Sequence, residues 1–143
     1  MRVCKQKDIA IVSGFHSKME RDVLKILLQG ECGIIVVLAR GMYRKLPKQY
    51  EEAMLQNRLL IISYEKESVT RVSEATAHKR NDYVREIVDE MQTLYTSGTV
   101  FHAFLGEKLP DWKAAANLVK KIADNYRLPY YSISPTYTVC CNH

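Results

Sequence analysis

The chain has 143 residues and a formal net charge of +5, and 47% of its residues are hydrophobic. This length corresponds to one domain of ordinary size, and the composition is that of a globular protein rather than a disordered one. No apolar run approaches the roughly 18 residues of a membrane span, and residues 1–8 lack the apolar segment of a signal peptide. The charge mildly favours anionic partners, but it does not form the dense basic surface of an obligate nucleic-acid binder.

Strand and helix patterns alternate from the beginning of the chain. Residues 8–14 form an apolar run that predicts a strand. Ser17 and Glu20 have the S-x-x-E spacing of a capping box, which predicts a helix that begins there. Gly30 is a suitable stop for this helix. Residues 33–39, GIIVVLA, are continuously apolar, as expected of a strand that is buried on both faces of a parallel sheet.

The pattern continues with a short helix and a long one. Pro47 opens the short helix, which runs through Leu55, since proline is favoured in a first helical turn. Residues 58–63 predict a third strand. Residues 70–92 carry spaced apolar side chains among many charges, which predicts a long amphipathic helix.

The last third of the chain repeats the alternation. Residues 99–105 predict a fourth strand, and a helix opens at Pro110 and Asp111. Pro129 prevents this helix from continuing, and residues 130–134 form the fifth strand. We expect the last eight residues to be a loosely held tail.

This element order predicts an α/β fold. We expect a three-layer Rossmann-like sandwich of about five mainly parallel strands, with helices on both faces of the sheet. We expect residues 1–143 to form a single domain in which residues 1–90 and residues 91–143 share one sheet.

The segment from Ser13 to Ser17 is the first candidate binding site. Its residues connect the carboxyl end of a strand to the beginning of a helix: Ser13, Gly14, Phe15, His16 and Ser17. The unpaired amides and the positive end of the helix dipole favour an anion at such a loop, and Gly14 lets the backbone approach it. The alternative is an ordinary tight turn with Ser17 as a helix cap, and the sequence leaves both interpretations open.

Basic residues follow the second strand and begin the long helix. By the geometry of a parallel sheet, Arg40 and Gly41 should face the same edge as Ser13 and Gly14. Arginines there can bind phosphates bidentately, and aromatic side chains such as Tyr43 and Phe15 can stack on bases. Lys45 and Lys48 fit a solvated surface better.

A resemblance to a known family, carried by AHKRNDYV at residues 77–84, adds the pair Arg80 and Asn81 on the long helix to the candidate residues for binding phosphate. The alternative for this pair is a structural hydrogen bond that fixes the helix to a neighbouring loop. His102 lies in the middle of a predicted strand and fits a core residue better than a catalytic base. No pair of carboxylates or Ser-His-Asp arrangement points to catalysis.

Residues 8–90 resemble the Rossmann-like domain of DNA-processing protein A and its relatives. The motifs that carry this resemblance are VSGFHSKME, VVLARG, LPKQYEEA, RLLIISY and AHKRNDYV. The last of these contains Arg80 and Asn81, which match an Arg-Asn pair of that family. The resemblance implies binding of a nucleotide or of single-stranded DNA, although the usual first strand of that family would lie before Met1.

Residues 91–143 resemble a segment near the carboxyl terminus of anaerobic ribonucleoside-triphosphate reductases. The resemblance rests on LYTSGTVFHAFLGE, NYRLPYYSISPTYTVC and the closing C-x-x-H. It implies that Cys140 and His143 match two of the four ligands of a structural zinc, while the glycyl radical of that family would lie farther on. Two ligands are half of a tetrahedral site, so zinc would need two more from a homodimer partner or from elsewhere in the chain. The alternative, which the sequence favours, is a frayed tail with free thiols.

The other cysteines are Cys4 and Cys32, and neighbouring cysteines such as Cys140 and Cys141 rarely bond to each other. This pattern is not a disulfide framework, so we expect a cytoplasmic protein without a membrane partner. We expect a non-catalytic module that binds a nucleotide or single-stranded nucleic acid. The alternative is a truncated fragment related to anaerobic ribonucleoside-triphosphate reductase that has no reductase activity. A recombined product that retains only a fold is the third interpretation.

Overall fold

The computed structural model describes the backbone of residues 9–65, 68–94, 101–103, 106–110, 112–133 and 139–142, and the side chains of residues 9–65, 68–90 and 112–131. The strands are β1 (Ile9–Ser13), β2 (Gly33–Leu38), β3 (Leu59–Ser63), β4 (Phe101–Ala103), β5 (Gly106–Pro110), β6 (Tyr130–Ile133) and β7 (Val139–Asn142). The helices are α1 (Lys18–Leu28), α2 (Glu51–Leu55), α3 (Glu74–Leu94) and α4 (Trp112–Tyr126), and a 3-10 turn at Lys48–Tyr50 precedes α2. No described helix is both long and apolar enough to cross a membrane.

The strands form one sheet in the order β4-β5-β1-β2-β3-β6-β7. Strands β1, β2 and β3 are parallel, and every other neighbouring pair in the described sheet is antiparallel. The predicted α/β class is confirmed. The predicted count of about five mainly parallel strands is not confirmed, because the described sheet has seven strands and its parallel part is the central three.

The additional strands come from the last third of the chain. Residues 99–105 were predicted to be one strand, but β4 ends at Ala103 and β5 begins at Gly106, and the two strands pair in antiparallel fashion. A short apolar run does not distinguish one strand from the first arm of a hairpin. Pro110 ends β5 instead of opening α4, and its nitrogen has no hydrogen to donate to a neighbouring strand.

The prediction of a loose tail is also wrong for residues 139–142. These residues form β7, which pairs with β6 from Tyr130↔Asn142 to Ile133↔Val139. An edge strand exposes a row of unpaired backbone groups. Strand β7 pairs with the backbone groups that β6 would otherwise expose. The backbone of residues 139–142 therefore belongs to the sheet.

The core lies on both faces of the central strands. In β2 all six residues are buried, as predicted for a strand that is covered on both sides. Its side chains alternate, so Ile34, Val36 and Leu38 join one core cluster while Ile35 and Val37 join the other. Helices α1 and α2 contribute to the first cluster, and α3 and α4 contribute to the second.

The parallel pairing of β1 and β2 places their carboxyl ends at one edge of the sheet. Ser13, the last residue of β1, pairs with Val36, two residues before the end of β2. The loop to α1 and the loop that leads to α2 therefore begin side by side. In open α/β sheets, this edge is where ligands bind.

Candidate functional site: a cationic cleft beside β1 and β2

An open cleft of about 840 Å³ lies at the carboxyl ends of β1 and β2. We call it the cationic cleft, because five of its lining side chains are basic: Lys18, Arg21, Lys25, Arg40 and Arg80. Its lining contains one carboxylate, that of Asp22. Six of the residues predicted to bind phosphate line it: Gly14, Phe15, His16, Ser17, Arg40 and Arg80.

Ser13 and Phe15 stabilise the conformation of the loop after β1 and offer no polar side-chain group to a ligand. The buried Ser13 hydroxyl accepts a hydrogen bond from the amide of Phe15 at 3.2 Å. Phe15 has a φ of 50° and is buried within the first core cluster. These two residues therefore fix the turn, and the ring of Phe15 is committed to the core.

The carboxylate of Glu20 accepts hydrogen bonds from two amides that lie just before α1. The Glu20 amide donates to Ser17 Oγ at 3.1 Å, and the Ser17 amide donates to Glu20 Oε2 at 3.0 Å. This confirms the predicted capping box. The same Oε2 also accepts from the amide of His16 at 2.7 Å. Two amides of the predicted anion loop, those of His16 and Ser17, thus hold a carboxylate of the protein itself.

Arg80 reaches the cleft from α3 and is 8% exposed. Its Nε and Nη2 donate to Asn81 Oδ1 at 3.3 and 3.2 Å, so the exposed Asn81 positions this guanidinium. Nη1 donates to no residue in the described part of the chain, and no described carboxylate forms an ion pair with Arg80. Burial lowers the pKa of Arg80, and the nearby charge of Glu20 opposes that shift. Burial penalises the charged form of the guanidinium, so an anion in the cleft would be stabilised here.

Gly14 makes room for this arginine. A Cβ atom on Gly14 would overlap the guanidinium of Arg80. Glycine at this position therefore lets the side chain of α3 lie directly against the loop that follows β1. The contact brings together two segments that are separated by more than sixty residues in the sequence.

Arg40 and two tyrosines form another side of the cleft. Arg40 Nε donates to the Gly41 carbonyl at 3.2 Å, and its Cζ lies 5.0 Å from the centroid of the Tyr43 ring, within the range of a cation–π contact. Tyr43 and Tyr50 have ring centroids 6.4 Å apart, and burial raises the pKa of Tyr50. The Gly41 amide donates to the Val69 carbonyl at 2.7 Å, so it holds the loop in place and is not available to a ligand.

The sequence interpretation missed the basic face of α1. Lys18, Arg21 and Lys25 are spaced by three and four residues, which places them on one face of a helix. That spacing is a signal that the sequence alone provides. The spacing indicates a binding surface only when α1 is known to begin at the edge of the sheet where Arg40 lies.

No group of three metal-binding side chains occurs among the side chains that the structure describes. The predicted half-site falls elsewhere, because the side chain of Cys140 and all of His143 lie outside the described residues. The side chain of His102 is outside them as well. The zinc half-site therefore stays a prediction.

Comparison with known proteins identifies the family. Searches of the curated proteins and of the solved structures gave no match, and no comparison finds the predicted resemblance of residues 8–90 to DNA-processing protein A. Residues 45–143 match the protein family described as anaerobic ribonucleoside-triphosphate reductase. The match begins at residue 45 rather than at residue 91, so it includes α2, β3 and Arg80 of the cleft. Because it covers more than half of the chain, the chain belongs to the anaerobic ribonucleoside-triphosphate reductase family.

Proposed function

We propose that the cationic cleft binds a nucleotide through its phosphate groups and that the chain is a binding module without reductase activity of its own. The observation that carries this proposal is the buried guanidinium of Arg80, which has no carboxylate partner among the described residues and lines a cleft with four other cations. Phosphate oxygens are the natural acceptors for such a cluster. The architecture that we propose is the three-layer sandwich predicted from the sequence.

The size and lining of the cleft favour a single nucleotide over a nucleic-acid strand. Its volume of about 840 Å³ is within the usual range of pockets for small molecules. A single strand would instead need a groove that follows several phosphates. Tyr43, with Arg40 against its ring, offers an aromatic surface on which a base can stack.

The family supports a triphosphate as the ligand class, because the description of the family names ribonucleoside triphosphates as what its enzymes reduce. The part of the cleft inside the matched residues comprises Gln49, Tyr50, Val72 and Arg80. The loop after β1, helix α1 and the segment with Arg40 lie before residue 45. The binding site that we propose therefore combines matched residues with residues from the preceding part of the chain.

Binding can be measured by isothermal titration calorimetry with ATP, and adenosine serves as the ligand without phosphate. We expect ATP to bind and adenosine not to bind, with affinity falling as salt screens the cations. Replacing Arg40 by alanine should weaken ATP binding about tenfold, the effect of losing one charge-assisted contact. The matched control is Lys45→Ala, which removes the same charge from a nearby exposed side chain outside the cleft and should change affinity less than about twofold.

Three results would contradict the proposal. The first is an absence of ATP binding at low salt. The second is an equal loss of affinity in the Arg40→Ala and Lys45→Ala variants, which would indicate a diffuse charge effect. The third is tight binding of a labelled single-stranded oligonucleotide that ATP does not displace, which would favour a nucleic-acid site.

The absence of turnover that we propose has a separate test. None of the residues lining the cleft is a cysteine, so the cleft supplies no thiol to reduce a ribonucleotide. Incubation of the purified chain with ribonucleoside triphosphates and a dithiol, followed by chromatography, should yield no deoxynucleotide. Formation of any deoxynucleotide above a protein-free control would overturn this part of the proposal.

A further inference from the structure

We propose that Tyr131 is a positioning residue of the cationic cleft. Its hydroxyl holds Tyr43 in place, so that the ring of Tyr43 and the guanidinium of Arg40 together form the surface on which the base of a nucleotide stacks. This inference rests on the proposed function, because it concerns the same cleft. Its starting point is the Tyr131 hydroxyl, which donates to the Tyr43 carbonyl at 3.0 Å, although Tyr131 itself does not line the cleft.

The segment that carries Arg40 and Tyr43 has no regular secondary structure. It comprises residues 39–47, between the end of β2 and the 3-10 turn that begins at Lys48. Backbone groups in such a segment have no partners from a helix or a ladder of strands, so groups from elsewhere in the chain must satisfy those that are buried. The conformation of this side of the cleft therefore depends on individual hydrogen bonds.

Two of these hydrogen bonds fix the beginning of the segment. The buried hydroxyl of Ser63 donates to the Arg40 carbonyl, and the Gly41 amide donates to the Val69 carbonyl at 2.7 Å. Ser63 ends β3, the strand next to β2, so the sheet itself holds the backbone of Arg40. Neither hydrogen bond involves Tyr43.

Tyr131 fixes the segment at Tyr43. Its hydroxyl also lies 3.4 Å from the Arg44 carbonyl, and because a hydroxyl has one proton to donate, the shorter contact is the main hydrogen bond. Tyr131 is 8% exposed, and its ring belongs to the first core cluster. It pairs with Ile61 of β3, so the sheet and the core determine where the hydroxyl lies. A buried side chain 88 residues away in the sequence thus holds the turn that carries Tyr43.

The position of the Tyr43 ring is important because a base can stack on it. Tyr43 lines the cleft and is partly buried against the first core cluster, and the Arg40 Cζ lies 5.0 Å from the centroid of its ring. Bases stack both on aromatic rings and on guanidinium planes. A ring that is already held against the guanidinium loses less freedom when a base binds, which raises affinity. The Tyr131 hydroxyl should therefore strengthen binding of a nucleotide but not binding of phosphate groups alone.

The decisive variant is Tyr131→Phe, which removes the hydroxyl and keeps the buried ring in the core. In calorimetric titrations we expect it to bind ATP about fivefold less tightly than the unmodified protein does, the effect of losing one hydrogen bond. Its affinity for inorganic tripolyphosphate should change less than about twofold. The matched control is Tyr64→Phe, which removes a hydroxyl that has no hydrogen-bond partner among the described residues and belongs to a side chain packed on the second core cluster. The affinity of this control for either ligand should change less than about twofold.

A double variant tests whether Tyr131 acts through Tyr43. Tyr43→Leu removes the stacking ring and should weaken binding of ATP about tenfold, while the affinity for tripolyphosphate changes less than about twofold. With the ring absent, adding Tyr131→Phe should lower the ATP affinity no further, because the hydroxyl then has no ring to position. Losses of binding free energy that add in the double variant would show that the two residues act independently, and would overturn the inference.

The Arg40 Nε–H resonance provides a readout that a purely structural role of Tyr131 would not change. Because the guanidinium lies against the Tyr43 ring, the ring current displaces this resonance. In Tyr131→Phe the resonance should move toward its position in Tyr43→Leu, whereas in Tyr64→Phe it should stay where it is in the unmodified protein. An unchanged Arg40 resonance in folded Tyr131→Phe would show that the hydroxyl does not position the ring, and the inference would be wrong.

The outcomes separate this inference from the proposed function. If ATP and tripolyphosphate both bind and Tyr131→Phe weakens both equally or neither, the inference fails and the proposed function stands. If Tyr131→Phe does not fold, Tyr43→Leu still tests the stacking surface: a selective loss of ATP affinity supports the inference, and an unchanged ATP affinity overturns it. If neither ligand binds to the unmodified protein, the proposed function and the inference fail together.

Discussion

The side chain of Arg58 connects the end of α1, the turn that follows it and the beginning of β3. It is 7% exposed, and its guanidinium donates to the carbonyls of Leu27, Leu28 and Cys32 at 3.1, 2.5 and 2.8 Å. These carbonyls lie at the carboxyl end of α1 and in the turn that follows, where helical acceptors lack partners and a positive charge is favoured. Arg58 therefore ties the end of α1 to the beginning of β3.

Replacing Arg58 by alanine should lower the free energy of unfolding by about 3 kcal/mol, because buried carbonyl groups lose charge-assisted partners. Arg58→Lys should recover less than half of that loss, since one ammonium group cannot reach all three carbonyls. Urea denaturation followed by circular dichroism measures both changes. The control is Arg85→Ala, an exposed arginine of α3, with an expected change within about 0.5 kcal/mol. A loss for Arg58→Ala no larger than that of the control would refute this role.

Residue-level interactions were predictable from sequence only where the partners are close in the chain. The capping box of Ser17 and Glu20 follows from a spacing of three residues, and the structure confirms it. The carbonyl partners of Arg58 are 26 to 31 residues away, and Arg80 meets Gly14 across a still longer separation. No local pattern encodes such contacts, since they arise from the order of strands in the sheet.

At the scale of elements, α2 and α4 end with the same hydrogen-bond pattern. The residues that adopt a positive φ at these two ends differ in how well they tolerate it. After α4, the Leu128 amide donates to the Ala123 carbonyl and the Arg127 amide donates to the Asp124 carbonyl, which is the Schellman pattern. After α2, Arg58 and Asn57 make the equivalent bonds to Ala53 and Met54. Asn57 and Arg127 have positive φ values of 56° and 55°. Asparagine tolerates this conformation, whereas arginine does so at a cost.

Arg127→Gly should therefore raise the free energy of unfolding by about 1 kcal/mol, because glycine adopts a positive φ without strain. Asn57→Gly is the matched variant, and it should gain less than about half as much. Thermal denaturation compares the two directly. An unchanged or lowered midpoint for Arg127→Gly would show that the arginine side chain contributes contacts that outweigh the strain.

The central elements were predictable because each carries a strong signal of its own. The continuous apolar run of β2 predicted burial on both faces, and Pro47 predicted the short helical segment that ends at Leu55. The outer strands β4, β5 and β7 were not predicted correctly. They are only three to five residues long, and their existence depends on pairing with strands that are already in place.

For the whole molecule, the last third of the chain contributes to both edges of the sheet. Strand β5 pairs with β1 on one side, β6 pairs with β3 on the other, and α4 connects them in sequence. Six buried residues of α4 lie in the core cluster that also contains side chains of β1, β2 and β3. Without this helix, that face of the central strands would lose much of its apolar cover. The two parts predicted from the sequence, residues 1–90 and residues 91–143, should therefore not fold separately.

This interdependence predicts a single cooperative unfolding transition. Trp112, the one tryptophan of the chain, begins α4, and its Nε1 donates to the Asn57 carbonyl at 3.0 Å. A Cβ atom on Gly33 would overlap its indole ring, so its fluorescence reports on the junction between α4 and the central strands. Circular dichroism reports on all the helices.

In a two-state protein, Trp112 fluorescence and circular dichroism change at the same urea concentration. Arg58→Ala should therefore lower the midpoints of both signals together, although Arg58 and Trp112 belong to different parts of the chain. Two separate transitions, with Trp112 fluorescence changing before most of the helical signal, would show that residues 91–143 unfold on their own and that the chain contains two units.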